Sequence, residues 1–300
     1  MITPGMSMVR SDSLHCERVV RKNARAFTLA TYFLPPKKRR ASVAFYCFGK
    51  SAGEIARSCG NDRKAATRLL LDYRRELAEA MEGRPRGAVL REVRWAVREF
   101  SVDGDLLFEL LDGLARDFTL SSCETWDELE EYCESVASTI GLMCAQVLGI
   151  PGGARQEKIS LGHARTLGVA IQLTTILRDA AASAAGGRCY LPDSELSRFD
   201  LSREDVLLNP QLTGDPRWHR LMSFEIGRAR SLYERSLPGI SMLSEDSQRC
   251  AAACAIGYAA VLDALEHTMN DSLSSRASLG TMTRLGILWE AWRYRGRATA

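Results

Sequence analysis

Apolar residues recur every three to four positions along almost the whole 300-residue chain, and this spacing restricts the fold more than any other feature. Leu70, Tyr73 and Leu77, for example, fall on one helical face, while arginines and glutamates occupy the opposite face. No alternating strand followed by a hairpin turn stands out. The pattern predicts an all-α fold, with helices over 62–82, 89–100, 105–118, 125–149, 160–184, 218–237, 247–271 and 281–295.

The chain is organised as one large unit. Helix-ending glycines and prolines occur at 83–85 and 149–153, yet no linker of domain-boundary composition and no internal repeat separates the helices. The longest irregular stretch is 185–216, and a loop of that length inside a compact domain is usually functional or mobile. We therefore expect 1–300 to form a single α domain, with a flexible segment at 1–12 and an irregular loop at 185–216.

Bulk composition excludes several classes of protein. The formal net charge of +3 is small for this length, which argues against a nucleic-acid partner. The nine cysteines are scattered without a Cys-x-x-Cys pair, so neither a disulfide framework nor a zinc site is indicated, and a reducing compartment fits best. No apolar signal core is present, and no uncharged apolar run reaches the roughly 20 residues that span a bilayer. We expect a cytoplasmic protein without a transmembrane segment, for which association with a membrane surface stays open.

One helical segment carries a candidate metal ligand. Within 167–192, Asp179 is followed four residues later by Ser183. Residues i and i+4 lie one above the other on a helix face, where two carboxylates would hold Mg²⁺ ions that in turn bind a diphosphate. One carboxylate and one hydroxyl would hold the ion less well.

Five ordered sequence blocks indicate a known family. They are Ala24-Arg25-Ala26-Phe27 with Leu34-Pro35; 44–50, which contains Tyr46-Cys47-Phe48; Asp112-Gly113 with Asp117; 132–143; and 172–179 with Gly187-Arg188 and Tyr190-Leu191-Pro192. In this order and spacing they resemble the squalene and phytoene synthases, which are head-to-head prenyltransferases, over nearly the whole chain. The resemblance implies the isoprenoid synthase fold, a single-domain helical bundle around a central apolar cavity.

The acidic motifs depart from the family pattern. Where the family has Asp-Asp-x-x-Asp, this chain has Gly53-Glu54-Ile55-Ala56-Arg57, so that Glu54 is the only carboxylate and Arg57 places a positive charge at a ligand position. In the later motif Ser183 replaces the second acid and Thr175 replaces the usual asparagine. Each motif thus retains one clear carboxylate.

The resemblance implies three catalytic carboxylates, Asp179, Glu54 and Asp117, of which Asp179 and Glu54 would also bind Mg²⁺ as the cofactor. Glu54 can instead be a solvated helix residue, Asp117 a helix-end residue and Arg57 a surface arginine. For the aromatic residues and Met143, ordinary core packing is the competing interpretation. The implied contacts of the diphosphate and prenyl chain are Lys50, Arg57, Arg178, Arg188, Tyr190, Tyr46, Phe27, Gln172 and Met143.

Loss of acids from both motifs argues for a site that holds one diphosphate. The first hypothesis is a Mg²⁺-assisted prenyltransferase that ionises one allylic diphosphate, with dimethylallyl favoured, and passes the prenyl group to a small aromatic, carbazole-type acceptor in secondary metabolism. The acceptor rests on analogy with relatives of the family. The second hypothesis is a squalene-, phytoene- or hydroxysqualene-type terpenoid synthase. The third is a non-catalytic assembly or scaffold protein.

Overall fold

The computed structural model describes residues 4–59, 62–116, 123–209, 211–267 and 280–294, and all regular structure in these ranges is helical. The all-α prediction is therefore confirmed. A π-helical turn (Glu134–Ser138) connects α7 to α8, and a 3₁₀ turn (Leu212–Gly214) precedes α13. The α-helices are α1 (Pro4–Asn23), α2 (Arg25–Thr31), α3 (Pro36–Ser58), α4 (Arg63–Met81), α5 (Gly87–Phe100), α6 (Asp105–Arg116), α7 (Trp126–Cys133), α8 (Thr139–Leu148), α9 (Ala154–Arg178), α10 (Ala180–Ala185), α11 (Asp193–Arg198), α12 (Arg203–Leu208), α13 (Pro216–Ser236), α14 (Pro238–Ser241), α15 (Glu245–His267) and α16 (Thr281–Arg293).

Two segments that the sequence predicts to be irregular contain helix. The stretch 185–216 includes α11, α12 and the 3₁₀ turn, because Ser202 and Asp205 form a reciprocal capping box at the start of α12 and Leu196 and Leu212 are buried in the core. The segment 1–12, predicted to be flexible, is helical from Pro4 onwards as part of α1, and Asp12 shows why. This buried carboxylate accepts two hydrogen bonds from Arg91, at 2.6 and 2.8 Å, which fixes α1 against α5.

Helix α9 lies at the centre of the bundle, where it packs against α8, α13, α15 and the π-helical turn. Its buried residues Val169, Leu173 and Leu177 join a core cluster with Trp218 of α13. A second cluster is formed by α3 to α6 together with α8. Burying each large apolar side chain contributes about 1.5–3 kcal/mol, so the position of α9 is fixed by packing on several sides.

The π-helical turn depends on glycines in the two helices that cross it. A Cβ atom at Gly168 of α9 would lie 2.5 Å from the Cα atom of Ser138, and a Cβ atom at Gly113 of α6 would lie 2.8 Å from the Cβ atom of Ser135. The Ser138 hydroxyl also donates to the carbonyl oxygen of Arg165 at 2.8 Å. Only glycine permits so close an approach, and the helix predicted for 125–149 is therefore interrupted where these helices cross.

Helix α15 is the one described helix that is long and apolar enough to cross a membrane, with a mean hydropathy of 1.2 in its most apolar window and 56% of that window buried. It packs against α2, α9 and α16. A core helix of a bundle passes the same test of length and composition, so this observation is weak evidence for a membrane span.

Candidate active site

The end of α9 brings Arg178 and Asp179 into a bidentate ion pair. Arg178 donates from Nε to Oδ1 of Asp179 at 2.9 Å and from Nη2 to Oδ2 at 2.7 Å, and both side chains are largely buried. Burial alone would lower the pKa of Arg178, but the hydrogen bonds to Asp179 hold that pKa above its ordinary value. The bidentate geometry of a planar guanidinium facing a carboxylate makes this a strong pair.

The helix is interrupted at Asp179, whose backbone has φ −101° and ψ 19°. The amide of Ser183 nevertheless donates to the carbonyl oxygen of Asp179 at 3.0 Å, so these two residues remain one helical turn apart. Sequence periodicity predicts a continuous helix over 160–184, whereas the structure separates α9 from α10 at this residue. Asp179 thus lies between the two helices, and Ser183 lies within α10.

The segment after α10 places Arg188 and Tyr190 in contact with each other. Arg188 donates to the hydroxyl of Tyr190 at 3.4 Å, and the Tyr190 ring stacks on Tyr132 with centroids 5.5 Å apart. Gly187, at φ +70°, supplies the left-handed turn that leads into this segment. The amide of Arg188 also donates to the carbonyl oxygen of Ser183 at 2.9 Å, so the segment is tied to α10.

Helix α3 presents Tyr46, Lys50 and Glu54 at successive i, i+4 positions. Lys50 forms an ion pair with Glu54 at 3.5 Å, and the Glu54 side chain is 56% exposed. The Tyr46 ring stacks on Phe27 of α2, with centroids 4.9 Å apart. The carboxylate of the first motif therefore has a basic partner, as the carboxylate of the second motif does.

Tyrosines of three helices interact electrostatically with the Arg178 side chain. The hydroxyls of Tyr258 on α15 and Tyr46 on α3 both help to raise the pKa of Arg178, so the middle of each of these helices lies near the C-terminal end of α9. Burial, with Tyr46 nearby, raises the pKa of Tyr258 well above its ordinary value. Tyr233 of α13 shares a hydrogen bond of 3.0 Å with Thr174. Tyr233 and Tyr258 were not predicted as site residues; the available signal was a lone tyrosine among alanines and glycine in α15.

The four remaining predicted site residues are Gln172, Met143, Asp117 and Arg57. Gln172 is half-buried on α9, while Met143 is fully buried in the core cluster of α3 to α6, which agrees with its competing interpretation as a packing residue. Asp117 lies outside the described residues. Arg57 lies on α3, but its side chain is outside the described part of the structure.

The described side chains do not fit the multi-carboxylate metal cluster that the family motifs imply. No group of three or more histidine, cysteine, aspartate or glutamate side chains in the described ranges could hold a metal ion. Glu54 is paired with Lys50, and both carboxylate oxygens of Asp179 accept hydrogen bonds from Arg178. A cation binding at either carboxylate would therefore meet the positive charge of a neighbouring basic side chain.

A buried charge cluster supports the segment that carries Tyr190. Arg228 of α13 donates to both oxygens of Glu225, at 3.0 and 2.9 Å, and also contacts both oxygens of Glu195 at the start of α11. The guanidinium lies over the ring of Trp126, 4.1 Å from its centroid. Burial, together with the hydrogen bond to Glu195, raises the pKa of Glu225 to about 9. This cluster, which sequence reasoning missed, fixes α11 directly after Tyr190-Leu191-Pro192.

Comparisons with known proteins agree with this architecture. The family model described as squalene/phytoene synthase matches residues 20–283. The 15-cis-phytoene synthase of Synechocystis sp. is 33% identical over 285 residues, which cover 92% of this chain and 83% of that protein. The chloroplastic phytoene synthase of Narcissus pseudonarcissus is 32% identical, covering 96% of this chain and 68% of that protein. The crystal structure of a dehydrosqualene synthase in complex with a ligand superposes with a TM-score of 0.85 at 26% identity, covering 95% of this chain and 96% of that chain.

These similarities correct the first functional hypothesis. The relatives are phytoene synthases and a dehydrosqualene synthase, so the prediction of transfer to an aromatic acceptor is wrong, and the terpenoid synthase alternative is the one supported. Members of the family use prenyl diphosphates and depend on metal ions. The resemblance found in the sequence is confirmed, and the chain belongs to the squalene/phytoene synthase family of head-to-head prenyltransferases.

Proposed function

We propose that this protein is a phytoene-type synthase, which ionises prenyl diphosphates and joins their hydrocarbon chains head to head. The observation that carries the proposal is the similarity to a 15-cis-phytoene synthase along 92% of the chain, through the helices that bear Arg178 and Tyr46. Substrates of the long-chain prenyl diphosphate class, such as geranylgeranyl diphosphate, follow from that similarity.

Basic side chains would neutralise the departing diphosphate. Arg178, Lys50 and Arg188 are the described candidates, and a guanidinium pairs with two phosphate oxygens at once. Arg178 is held in a fixed orientation by Asp179 at 2.7–2.9 Å, so it would meet the leaving group with little reorganisation. The role of Asp179 in this proposal is to position that guanidinium.

Tyrosine rings would stabilise the allylic cation that remains. The faces of Tyr46, Tyr258 and Tyr233 carry the negative side of the ring quadrupole, which attracts a cation without forming a bond to it. Tyr46 is stacked on Phe27, and the Tyr233 hydroxyl is engaged by Thr174. Fixed rings of this kind favour attack by a neighbouring double bond over capture by water.

A second candidate within the same class is a synthase that acts on an already joined chain bearing a single diphosphate, as in hydroxysqualene formation. The observation that favours it is the lone carboxylate in each acidic motif, Glu54 and Asp179, each paired with a basic side chain. Magnesium as the metal, the cytoplasmic location and a role in secondary metabolism stay predictions of the sequence.

The test is incubation of the protein with farnesyl or geranylgeranyl diphosphate, with and without Mg²⁺, followed by mass spectrometry of the hydrocarbon extract. The proposal predicts a hydrocarbon of twice the substrate length and release of diphosphate. Formation of hydroxysqualene from presqualene diphosphate alone would support the second candidate instead. Absence of any product from all three substrates, with and without metal, would show that neither assignment holds.

A further inference from the structure

Four strongly exposed apolar side chains line one open groove between α2 and α16. They are Tyr32 (57% exposed), Leu285 (56%), Trp289 (61%) and Trp292 (54%). The groove encloses about 540 Å³, and Leu29, Phe33 and Leu288 complete its lining. The two tryptophan rings stack with centroids 5.5 Å apart. An apolar surface of this kind on a folded protein indicates a partner rather than a core.

The position of these side chains on α16 shows that they are not directed at the bundle. Leu285, Trp289 and Trp292 are spaced i, i+4 and i+7, so they form one stripe along the helix. Ala291 lies on another side of the helix, where it is fully buried in the cluster with α15. Helix α16 therefore uses a small residue to pack onto the bundle and leaves its largest apolar residues in solvent.

A basic cleft adjoins the apolar groove. Tyr32 lines both, and the cleft of about 280 Å³ is further lined by Arg18, Arg21 and Arg39, with Glu17 as its acidic residue. The Arg39 guanidinium lies over the Tyr32 ring, 4.1 Å from its centroid. Apolar and cationic surfaces thus meet at a single residue.

The groove and cleft residues given above together form what we name the Trp–Arg surface. We propose that the Trp–Arg surface docks onto an anionic phospholipid bilayer. Tryptophan and tyrosine favour the boundary between headgroups and acyl chains, because their rings are apolar and their N–H or O–H groups reach water. Arginines beside them would pair with lipid phosphates.

The arrangement of charge favours a bilayer over a second copy of the chain. In a two-fold dimer the same patch meets itself, so the basic clefts beside the two grooves would be brought towards each other and repel. An anionic bilayer offers an apolar boundary region to the tryptophans and negatively charged phosphates to the arginines at the same time. Docking of this surface onto a bilayer does not depend on the reaction proposed above.

Flotation of the full chain with lipid vesicles tests the proposal. We expect binding to phosphatidylcholine vesicles that contain about a quarter phosphatidylglycerol and much weaker binding to phosphatidylcholine alone, with a loss of binding at high salt. The double variant Trp289→Ala/Trp292→Ala should lower the partition constant by about tenfold or more, because the inserted rings are removed. Arg18→Glu/Arg21→Glu should abolish the preference for the anionic vesicles.

Matched controls use exposed residues outside the Trp–Arg surface. Leu71→Ala/Leu208→Ala removes two leucines that are 57% and 76% exposed, and Arg75→Glu/Arg84→Glu makes the same change of net charge at arginines that are 71% and 69% exposed. Both controls should bind like the unchanged protein. Circular dichroism verifies that each variant is folded.

Two results would overturn the proposal. One is equal binding of the tryptophan variant and its leucine control to anionic vesicles. The other is a dimer in size-exclusion chromatography with light scattering that becomes a monomer in Trp289→Ala/Trp292→Ala, which would assign the surface to contacts between copies of this chain.

Discussion

Arg178 donates hydrogen bonds to both carboxylate oxygens of Asp179, so the acidic residue of the second family motif already has a cationic partner at the same helix end. Any cation that binds Asp179 must compete with this guanidinium. A diphosphate, conversely, can share Arg178 without breaking the pair, because a guanidinium has five donor N–H groups. The Arg178–Asp179 ion pair therefore couples metal binding at the carboxylate to diphosphate binding at the guanidinium.

The substitution Asp179→Asn should lower turnover far more than stability. It removes the charge that orients Arg178, and loss of one preorganised electrostatic group typically costs about a hundredfold or more in kcat. The free energy of unfolding should fall by about 1–3 kcal/mol, which leaves the protein folded, since asparagine still accepts a hydrogen bond from the largely buried guanidinium. Steady-state kinetics and urea unfolding measure the two effects. Asp72→Asn, at an aspartate that is 49% exposed on α4, is the control. Near-normal turnover of Asp179→Asn would exclude a role for the pair.

The substitution Ser183→Asp tests whether the second motif position still faces a metal. Because Ser183 remains one turn after Asp179, a carboxylate there should restore a second ligand and strengthen Mg²⁺ binding at least about threefold. Calorimetric titration of Mg²⁺ into the protein with diphosphate present gives the constant. Ala182→Asp adds the same charge at an exposed neighbouring position of α10 and should have no such effect. Equal affinities in the two variants would show that position 183 is no longer directed at the metal.

Local signals account for much of the fold. The helix predicted at 89–100 corresponds to α5 (Gly87–Phe100), because the apolar residues of its buried face recur at helical spacing in the sequence. The interruption at Glu134–Ser138 could not be predicted, since it depends on the close packing of Gly168 of α9 against Ser138, a tertiary contact that apolar spacing does not encode. The candidate site likewise combines residues that the sequence predicts with residues that only tertiary packing places there. Motif spacing indicated Arg178 and Asp179, but the direction of Tyr258 on α15 is set by tertiary packing and has no sequence pattern of its own.

The stability of the protein should fall as pH rises, because of Glu225. Its native pKa of about 9 lies above the ordinary value of 4.5, so the native state keeps a proton that the unfolded state releases. Its contribution is complete below the unfolded pKa and is lost as pH rises towards the native pKa, with a slope of up to about 1.4 kcal/mol per pH unit.

The substitution Glu225→Gln isolates this effect. Glutamine keeps an acceptor for Arg228 but cannot titrate, so the free energy of unfolding should depend less on pH across the window from about 5 to about 9. Urea unfolding at a series of pH values measures it. Glu157→Gln, at an exposed residue of α9, should retain the slope of the unchanged protein. Parallel curves for the two variants would mean that Glu225 holds no extra proton in the native state.

Gly168→Ala should destabilise the protein by about 1–3 kcal/mol, because the new Cβ atom would lie 2.5 Å from the backbone Cα of Ser138 and the helices would have to separate. Gly162→Ala is a matched control on the same helix, with no atom within 4 Å of the new Cβ, and should stabilise by about 0.5–1 kcal/mol through helix propensity. Chemical unfolding of both variants gives the difference. Since α9 also carries Arg178, Gly168→Ala should lower turnover as well, whereas Gly162→Ala should not. A Gly168→Ala variant as stable as the control would show that α9 and the π-helical turn are not in the close contact that positions this end of the site.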